Sequence, residues 1–195
     1  MSGVGEEIPE HYRHHIEQVL VADAEEAKPH ASVVVVTYRT ETSELRRTLD
    51  ALANQTTFGF EVVLIDNGHQ KDLTTIVRAY DVVRQYVRLR TNYGVTFARN
   101  LGAKLACSDL LVFLDNDAVP RQDFVTQHLR AHQEHDIVAA RGKVLPRTEN
   151  VYNRLQWWYD LGDEPFPFCL NIEGNTSFDR DVFLSQSGFD EDLPE

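Results

Sequence analysis

The sequence predicts an α/β fold built on a largely parallel sheet, and three features carry that prediction. Runs of β-branched and aliphatic residues at Ala31 to Thr37, Glu61 to Ile65 and Leu110 to Leu114 lack polar alternation. Strands buried on both faces have this pattern, and parallel sheets are buried on both faces. Between the runs lie amphipathic segments of about 10 to 15 residues, as βαβ units require. Each run also ends in polar residues: Thr37-Tyr38-Arg39, Asp66-Asn67-Gly68 and Asp115-Asn116-Asp117. In a parallel sheet these carboxyl ends share one edge, where open α/β sheets bind their ligands.

The elements follow in order. Residues 1–30 are polar and charged, but Ile16, Val19 and Leu20 recur at helical spacing. That predicts an N-terminal helical extension, with an amphipathic helix from about Glu10 to Glu26 that Pro29 ends. After the first buried strand, Leu45, Leu49 and Leu52 mark a helix with Thr42 or Ser43 as its N-cap. The second strand closes on a turn signal at Asp66-Asn67-Gly68. A helix carrying Leu73, Ile76, Val77 and Tyr80 comes next, then a short strand near Tyr86 to Leu89. Another helix presents Phe97, Leu101, Lys104 and Leu105 and leads into Leu110 to Leu114. Pro120 opens a helix over about Arg121 to Glu134, and Ile137 to Leu145 reads as a strand. Asn150 to Phe168 breaks into aromatics, Pro, Gly and acids, as a long functional loop with some helix would. A strand over Ile172 to Phe178 and a short helix over Asp179 to Gln186 close the pattern. With 195 residues and 42% hydrophobic content, the chain has material for one core and one domain.

Composition narrows the function. A net charge of −12 argues against nucleic-acid or anionic-membrane surfaces, which need clustered Lys and Arg. It leaves a nucleotide ligand open, because a bound cation reverses the local sign. Only four of the nineteen basic residues are Lys, and an acidic, Lys-poor surface suits a salt-rich cytoplasm. Cys107 and Cys169 form no CxxC or zinc set, so buried free thiols in a reducing compartment are expected. The N-terminus lacks the basic and apolar regions of a signal peptide, and no apolar run approaches the ~18 residues of a membrane span. These features predict a cytoplasmic protein.

Asp115 and Asp117 sit two residues apart at a strand end. Such carboxylates repel unless a cation or donor groups neutralise them. An Mg²⁺-like ion is suited to the place, since it binds through one or two carboxylates plus substrate phosphates. Around this pair stand further motifs: Val33-Val34-Val35-Val36-Thr37-Tyr38, Gln55-Thr56, Glu61-Val62-Val63-Leu64-Ile65-Asp66-Asn67-Gly68, Asn92-Tyr93-Gly94, Ala98-Arg99-Asn100-Leu101-Gly102, Phe113-Leu114-Asp115-Asn116-Asp117 and Gly188-Phe189-Asp190-Glu191. In this order and spacing, residues 31–195 resemble a family-2 glycosyltransferase of the GT-A fold, a nucleotide-diphospho-sugar transferase.

The resemblance implies a Rossmann-like, mostly parallel sheet flanked by helices. It implies a donor sugar carried on a nucleoside diphosphate, an Mn²⁺ or Mg²⁺ cofactor, and inversion at the anomeric carbon. The acceptor would be a glycan, a lipid-linked sugar or a small molecule. Thr37 and Tyr38 would border the nucleobase, with Tyr38 as a stacking surface. Asp66 or Asn67 would contact the base; relatives often carry two acids there, so Asn67 departs from the pattern. His69 stands where a small Ser is common and reads as an exposed turn residue. Arg99 would face the nucleotide or its phosphates, with a structural salt bridge as the alternative. Gly94 and Gly102 read as backbone devices for a tight turn and close helix–sheet contact. Asp115 would contact the nucleotide and Asp117 the metal. Glu173-Gly174-Asn175 resembles the segment under the donor sugar, with Gly174 leaving room for the ring and Asn175 bonding it. Trp157, Trp158 and Tyr159 fall where acceptors enter, or else they fill core. His128, His132 and His135 share a helix face that reads as solvated.

In the resembling family a Glu-Asp pair follows the Gly-Phe-Asp-Glu segment, and its Asp is the general base. The sequence reaches Leu193-Pro194-Glu195 where that pair would begin. The base is therefore expected beyond Glu195, with part of the domain missing and catalysis incomplete. Two other functions compete. A nucleotidyltransferase would need a Gly-rich signature and a phosphate-binding Lys near the first strand, and Thr37-Tyr38-Arg39-Thr40 has neither. A non-catalytic nucleotide-sugar-binding or assembly module needs only the donor motifs.

Overall fold

A computed structural model of the chain describes residues 8–22, 27–147, 160, 162–167 and 174–192. Trp157, Trp158, Tyr159 and Glu173 lie outside the described residues, as does Cys169. Among the described residues seven strands form one sheet: β1 (Ile16–Val21), β2 (Ala31–Thr37), β3 (Phe60–Asp66), β4 (Val83–Leu89), β5 (Leu110–Asp115), β6 (Ala139–Arg141) and β7 (Thr176–Asp179). Their spatial order is β1-β4-β3-β2-β5-β7-β6. The centre, β4-β3-β2-β5, is parallel throughout. Only β1 and β7 run against the rest. This is the mostly parallel α/β sheet that the buried apolar runs predict.

Among the described residues the helices are α1 (Glu10–Arg13), α2 (Thr42–Ala53), α3 (Thr74–Val77), α4 (Val95–Leu105), α5 (Phe124–Glu134) and α6 (Arg180–Ser185). Successive strand residues point to opposite faces, so one sheet feeds two cores. Val33, Val35, Leu64 and Val112 meet Leu45, Leu49 and Leu52 of α2, Ile76 and Val77 of α3, and Phe124 and Val125 of α5. Val34, Ile65, Leu111 and Phe113 meet Phe97, Ala98 and Leu101 of α4 and Phe183 of α6. Burying such a side chain fully contributes roughly 1.5–3 kcal/mol, so these two layers hold the sheet edge in place. Gly102 lets α4 approach: a Cβ there would lie 2.4 Å from Val34 Cγ1. Gly94 begins the same helix at φ +93°, a left-handed backbone that other residues seldom adopt.

The N-terminal segment corrects the sequence prediction. In place of a helix from Glu10 to Glu26 there is one helical turn, α1, and then a strand paired with β4. The register runs Ile16↔Leu89 and then Gln18↔Arg88, leaving Glu17 over as a bulge. An extra residue brings positions three apart onto one face. Ile16 and Val19 therefore pack on one core and Leu20 on the other, and a helical spacing arises from a strand. The strand predicted over Ile137 to Leu145 shrinks to β6, an edge element paired only through Ala139–Arg141 with β7. Cys107, expected to be buried, is exposed.

Candidate functional site

Register assembles the predicted edge. Thr37 pairs with Asp66, and Val36 pairs with both Ile65 and Asp115, so the ends of β2, β3 and β5 lie side by side. The turn after β5 is fastened from two helical and loop segments. The Thr48 hydroxyl of α2 donates to the carbonyls of Asn116 (2.9 Å) and Ala118 (2.7 Å). The Asn116 amide donates to the Thr40 hydroxyl. Gln55 and Thr56 then tie the end of α2 to the start of α5 and the segment before it: Gln55 Nε2 donates to Arg121 O, Gln55 Oε1 accepts from Val125 N, and Thr56 Oγ1 donates to Gln122 O. The Gln55-Thr56 motif is thus a brace for the acidic turn.

On this frame Asp115 is half-exposed and paired with Arg99, whose Nη2 lies 2.9 Å from Asp115 Oδ1. The salt-bridge alternative for Arg99 is what the structure contains, although the pair stands on the predicted edge. Asp117 is exposed, and among the described residues it has no hydrogen-bond or ion-pair partner. Thr37 is fully buried with its hydroxyl unpartnered among the described residues, while its carbonyl accepts from Asn67 N. Tyr38 is half-buried, and the Arg39 guanidinium carbon lies 5.0 Å from its ring centroid.

One expectation is corrected, that His69 is exposed, and three other predicted residues are engaged within the protein. Asp66 is completely buried, accepting from His69 N and Tyr86 Oη at 2.7 Å each, with Arg88 Nε 3.8 Å away. Burial pushes its carboxyl above the usual range, against the pull of His69, Tyr86 and Arg88. Asn67 is also buried, and its amide binds the next loop: Nδ2 donates to Asn92 Oδ1 and Gly94 O, and Oδ1 accepts from Tyr93 N. Neither side chain faces outward to a nucleobase in this structure. His69 is buried rather than exposed; Nδ1 accepts from Lys71 N, leaving Nε2–H to donate to Thr40 O at 2.9 Å. Gly174 leaves room for the Asp115 carboxylate, since a Cβ there would lie 2.2 Å from Asp115 Oδ2.

Two of the three histidines predicted on a solvated helix face, His128 and His132, are packed against β7 instead. His128 is buried and His132 half-buried, and both hydrogen-bond Ser177 Oγ on β7 at 2.9 Å. His128 Nε2 also reaches Asn175 Oδ1 at 2.9 Å, so the Asn175 side chain is held by α5. The Gly188–Glu191 segment is bound to α4 and α1. Asn100 donates to Phe189 O and Glu191 Oε1, and the Tyr12 hydroxyl donates to Glu191 Oε1 at 2.6 Å. Burial acts to raise the Glu191 carboxyl, but the Tyr12, Asn100 and His11 hydrogen bonds outweigh it and hold the group below the usual range. Thr48, His128 and Tyr12 escaped sequence reasoning because their partners are remote in sequence; only the His128/His132 spacing was visible.

The carboxylates suit a divalent ion in part. Among the described residues no three His, Cys, Asp or Glu side chains gather into a metal cage. Asp117 with Asp115 nearby offers the one-or-two-carboxylate arrangement that leaves remaining positions to phosphate and water.

Comparison with known proteins fits this geometry. The family model described as glycosyl transferase family 2 matches residues 32–183, most of the chain. The chain belongs to glycosyl transferase family 2. Among curated relatives, glucosyl-dolichyl phosphate glucuronosyltransferase of Haloferax volcanii is 27% identical over 174 residues, which is 82% of this chain and 55% of that protein. Validoxylamine A glucosyltransferase of Streptomyces hygroscopicus subsp. limoneus is 38% identical over 109 residues, 53% of this chain and 24% of the relative. Among solved structures, S. aureus TarS 1-349 superposes with a TM-score of 0.65 at 19% identity, covering 85% of this chain and 51% of that one. The mannosyltransferase PcManGT from Pyrobaculum calidifontis, in complex with GDP-Man and Mn²⁺, gives 0.66 at 21%, covering 91% and 52%. At these identities the likeness is one of fold, which is the GT-A fold expected for family 2. The chain spans about half or less of the length of these relatives. No helix among the described residues is long and apolar enough to cross a membrane.

Proposed function

We propose that the carboxyl edge of β2, β3 and β5 is the donor site of a glycosyltransferase, binding a nucleotide-diphospho sugar and passing the sugar, with inversion, to an acceptor hydroxyl. The observation that carries this reading is the alignment of Thr37, Asp66 and Asp115 by register, with the exposed Asp117 carboxylate, which has no partner among the described residues, beyond them. Asp117 is the group that would hold Mn²⁺ or Mg²⁺. When bound, the ion stabilises negative charge on the departing diphosphate.

The chain's own residues do the rest of the donor work. Arg99 and Asp115 are poised as a pair: a nucleotide that hydrogen-bonds Asp115 frees the guanidinium for its phosphates, keeping every charged group partnered. Tyr38 offers a ring face to the base once Arg39 moves aside. Asp66 and Asn67 act indirectly, fixing the His69 and Asn92–Gly94 backbones that border the site. Thr37 shapes the floor. The Gly174–Asn175 turn flanks the place of the sugar through its backbone, and Trp157 and Trp158 are assigned to the acceptor side on sequence grounds. Glu191 is not assigned as general base, because Tyr12 and Asn100 engage its carboxylate.

Calorimetry with UDP-, GDP- and dTDP-sugars, with and without Mn²⁺, tests the reading. One donor should bind more tightly with the ion, and product NMR should give an anomeric configuration opposite to that of the donor. A chain that binds no nucleotide sugar under any of these conditions contradicts the proposal. Binding without transfer to any acceptor would instead favour the non-catalytic module.

A further inference from the structure

A chain of side-chain hydrogen bonds runs beneath the Gly174–Asn175 turn, and its polarity is fixed by proton counting. Asn175 Nδ2 donates to Lys143 O at 3.0 Å, so Asn175 Oδ1 is an acceptor. His128 Nε2, 2.9 Å from that oxygen, must carry a proton. A neutral imidazole then has Nδ1 as an acceptor, and the Ser177 hydroxyl 2.9 Å away must donate to it. Ser177 has one proton, so the 2.9 Å contact from His132 Nε2 must be a donation into Ser177 Oγ. Burial drives the His128 pKa down to about 4, which agrees with a neutral ring at pH 7.

The relay ends on a residue with little freedom. Asn175 is a non-glycine residue at φ +70°. Its backbone N donates to Phe113 O at 2.8 Å and its carbonyl accepts from Gly142 N at 2.9 Å. A Cβ on Gly142 would lie 2.4 Å from the Asn175 amide atoms, so the half-buried side chain packs directly on the Gly142 backbone. The neighbouring Gly174 touches the Asp115 carboxylate. Whatever fixes Asn175 therefore fixes the surface against which Asp115 lies.

We propose that His128 is a positioning residue of the donor site, holding the Gly174–Asn175 turn against Asp115 through the one-way relay His132, Ser177, His128, Asn175, Lys143. This rests on the donor site lying where the proposed function puts it. His128 touches no substrate; it acts through Asn175.

Two isosteric variants separate positioning from bulk stability. In H128Q the terminal amide nitrogen reaches the place of Nε2 and keeps the donation to Asn175. In H128N the side-chain oxygen takes the place of Nδ1, keeping the Ser177 contact and losing the Asn175 one. UDP-GlcNAc, GDP-mannose and dTDP-glucose with Mn²⁺ are the probes. For the donor that binds wild type, H128Q should lie within about threefold of wild-type affinity, and H128N should be about three- to tenfold weaker than H128Q, the worth of one net hydrogen bond. Melting temperatures of the two variants should be similar. Equal affinities in H128Q and H128N would overturn the proposal while leaving the donor reading intact. Wild type that binds none of the probes would remove the donor reading and this proposal with it. Should H128N fail to fold, ¹⁵N NMR of the wild-type imidazoles decides: His128 must be the Nε2–H tautomer, and the Nδ1–H tautomer refutes the relay.

Discussion

Replacing Gly174 by Ala perturbs the site through a single methyl group. An ideal Cβ would lie 2.2 Å from Asp115 Oδ2, 2.3 Å from its Cγ and 2.6 Å from its Oδ1. No non-bonded carbon occupies such positions, so the carboxylate must rotate away and leave Arg99, now 2.9 Å distant. Asp115 is half-exposed, and a pair of that kind is worth about 0.2–1 kcal/mol of stability. Ala also restricts the unfolded chain relative to Gly, which returns about 0.4–1 kcal/mol. The two terms nearly cancel, so the melting temperature should hold within a few degrees. Donor binding should not hold. A misdirected Asp115 forfeits a charge-assisted hydrogen bond of about 1.5–3 kcal/mol, or roughly ten- to hundredfold in Kd. Scanning fluorimetry and calorimetry with nucleotide sugars, run on the same preparation, read both quantities. Unchanged affinity would show that the Asp115 carboxylate takes no part in donor binding; a large fall in melting temperature with unchanged affinity would assign Gly174 to folding alone.

The same methyl in the core should have the opposite profile. G102A gains about 0.8–1.0 kcal/mol of helix propensity, but its Cβ lies 2.4 Å from Val34 Cγ1. Overpacking of about 1–3 kcal/mol should win, lowering the denaturation midpoint; a stabilised variant would contradict the close α4–β2 contact. R99A should weaken donor binding by about 1.5–3 kcal/mol if the guanidinium transfers to phosphate, whereas a melting shift without an affinity change would leave it a structural partner of Asp115. Acid stability should follow His128: its folded pKa of about 4 lies below the unfolded value, so its contribution is complete above about pH 6.5 and is lost as pH falls toward 4, by about 3 kcal/mol at most. Asp66 opposes this, because its raised pKa makes protonation favour the folded state. Denaturant titrations from pH 7.5 to 4 should therefore show a shallower acid loss in H128Q than in wild type, and identical slopes would refute the assignment.

The parts of the structure that were legible in the sequence are those set by local pattern. β2, β3 and β5 are buried on both faces, so uninterrupted runs such as Val33-Val34-Val35-Val36 announce them, and a parallel sheet then brings Thr37, Asp66 and Asp115 to one edge. Parallel pairing needs no knowledge of individual contacts. What failed depends on which way a side chain turns. Ile16, Val19 and Leu20 looked helical because the bulge at Glu17 reset the strand's alternation. Asp66 and Asn67 sit in the right place but spend their polar atoms on Tyr86, His69 and the Asn92–Gly94 loop. His128 was read as solvated because its partners Ser177 and Asn175 lie on a distant segment that folds back beside β5. Gly174 was recognised as a place that must stay small, but the occupant of the space is Asp115.

If an ion held by Asp117 couples this edge to a nucleoside diphosphate, D117A should uncouple them. Asp117 is exposed beyond the buried part of β5, so its removal opens no cavity and should leave the melting temperature unchanged or slightly higher as repulsion with Asp115 falls. Titrating the nucleotide sugar that wild type binds, with and without Mn²⁺, gives the ion-dependent part of the affinity for both proteins. This part should be present in wild type and absent in D117A, with the ion-independent part preserved. An equal response to Mn²⁺ in a folded D117A would contradict it.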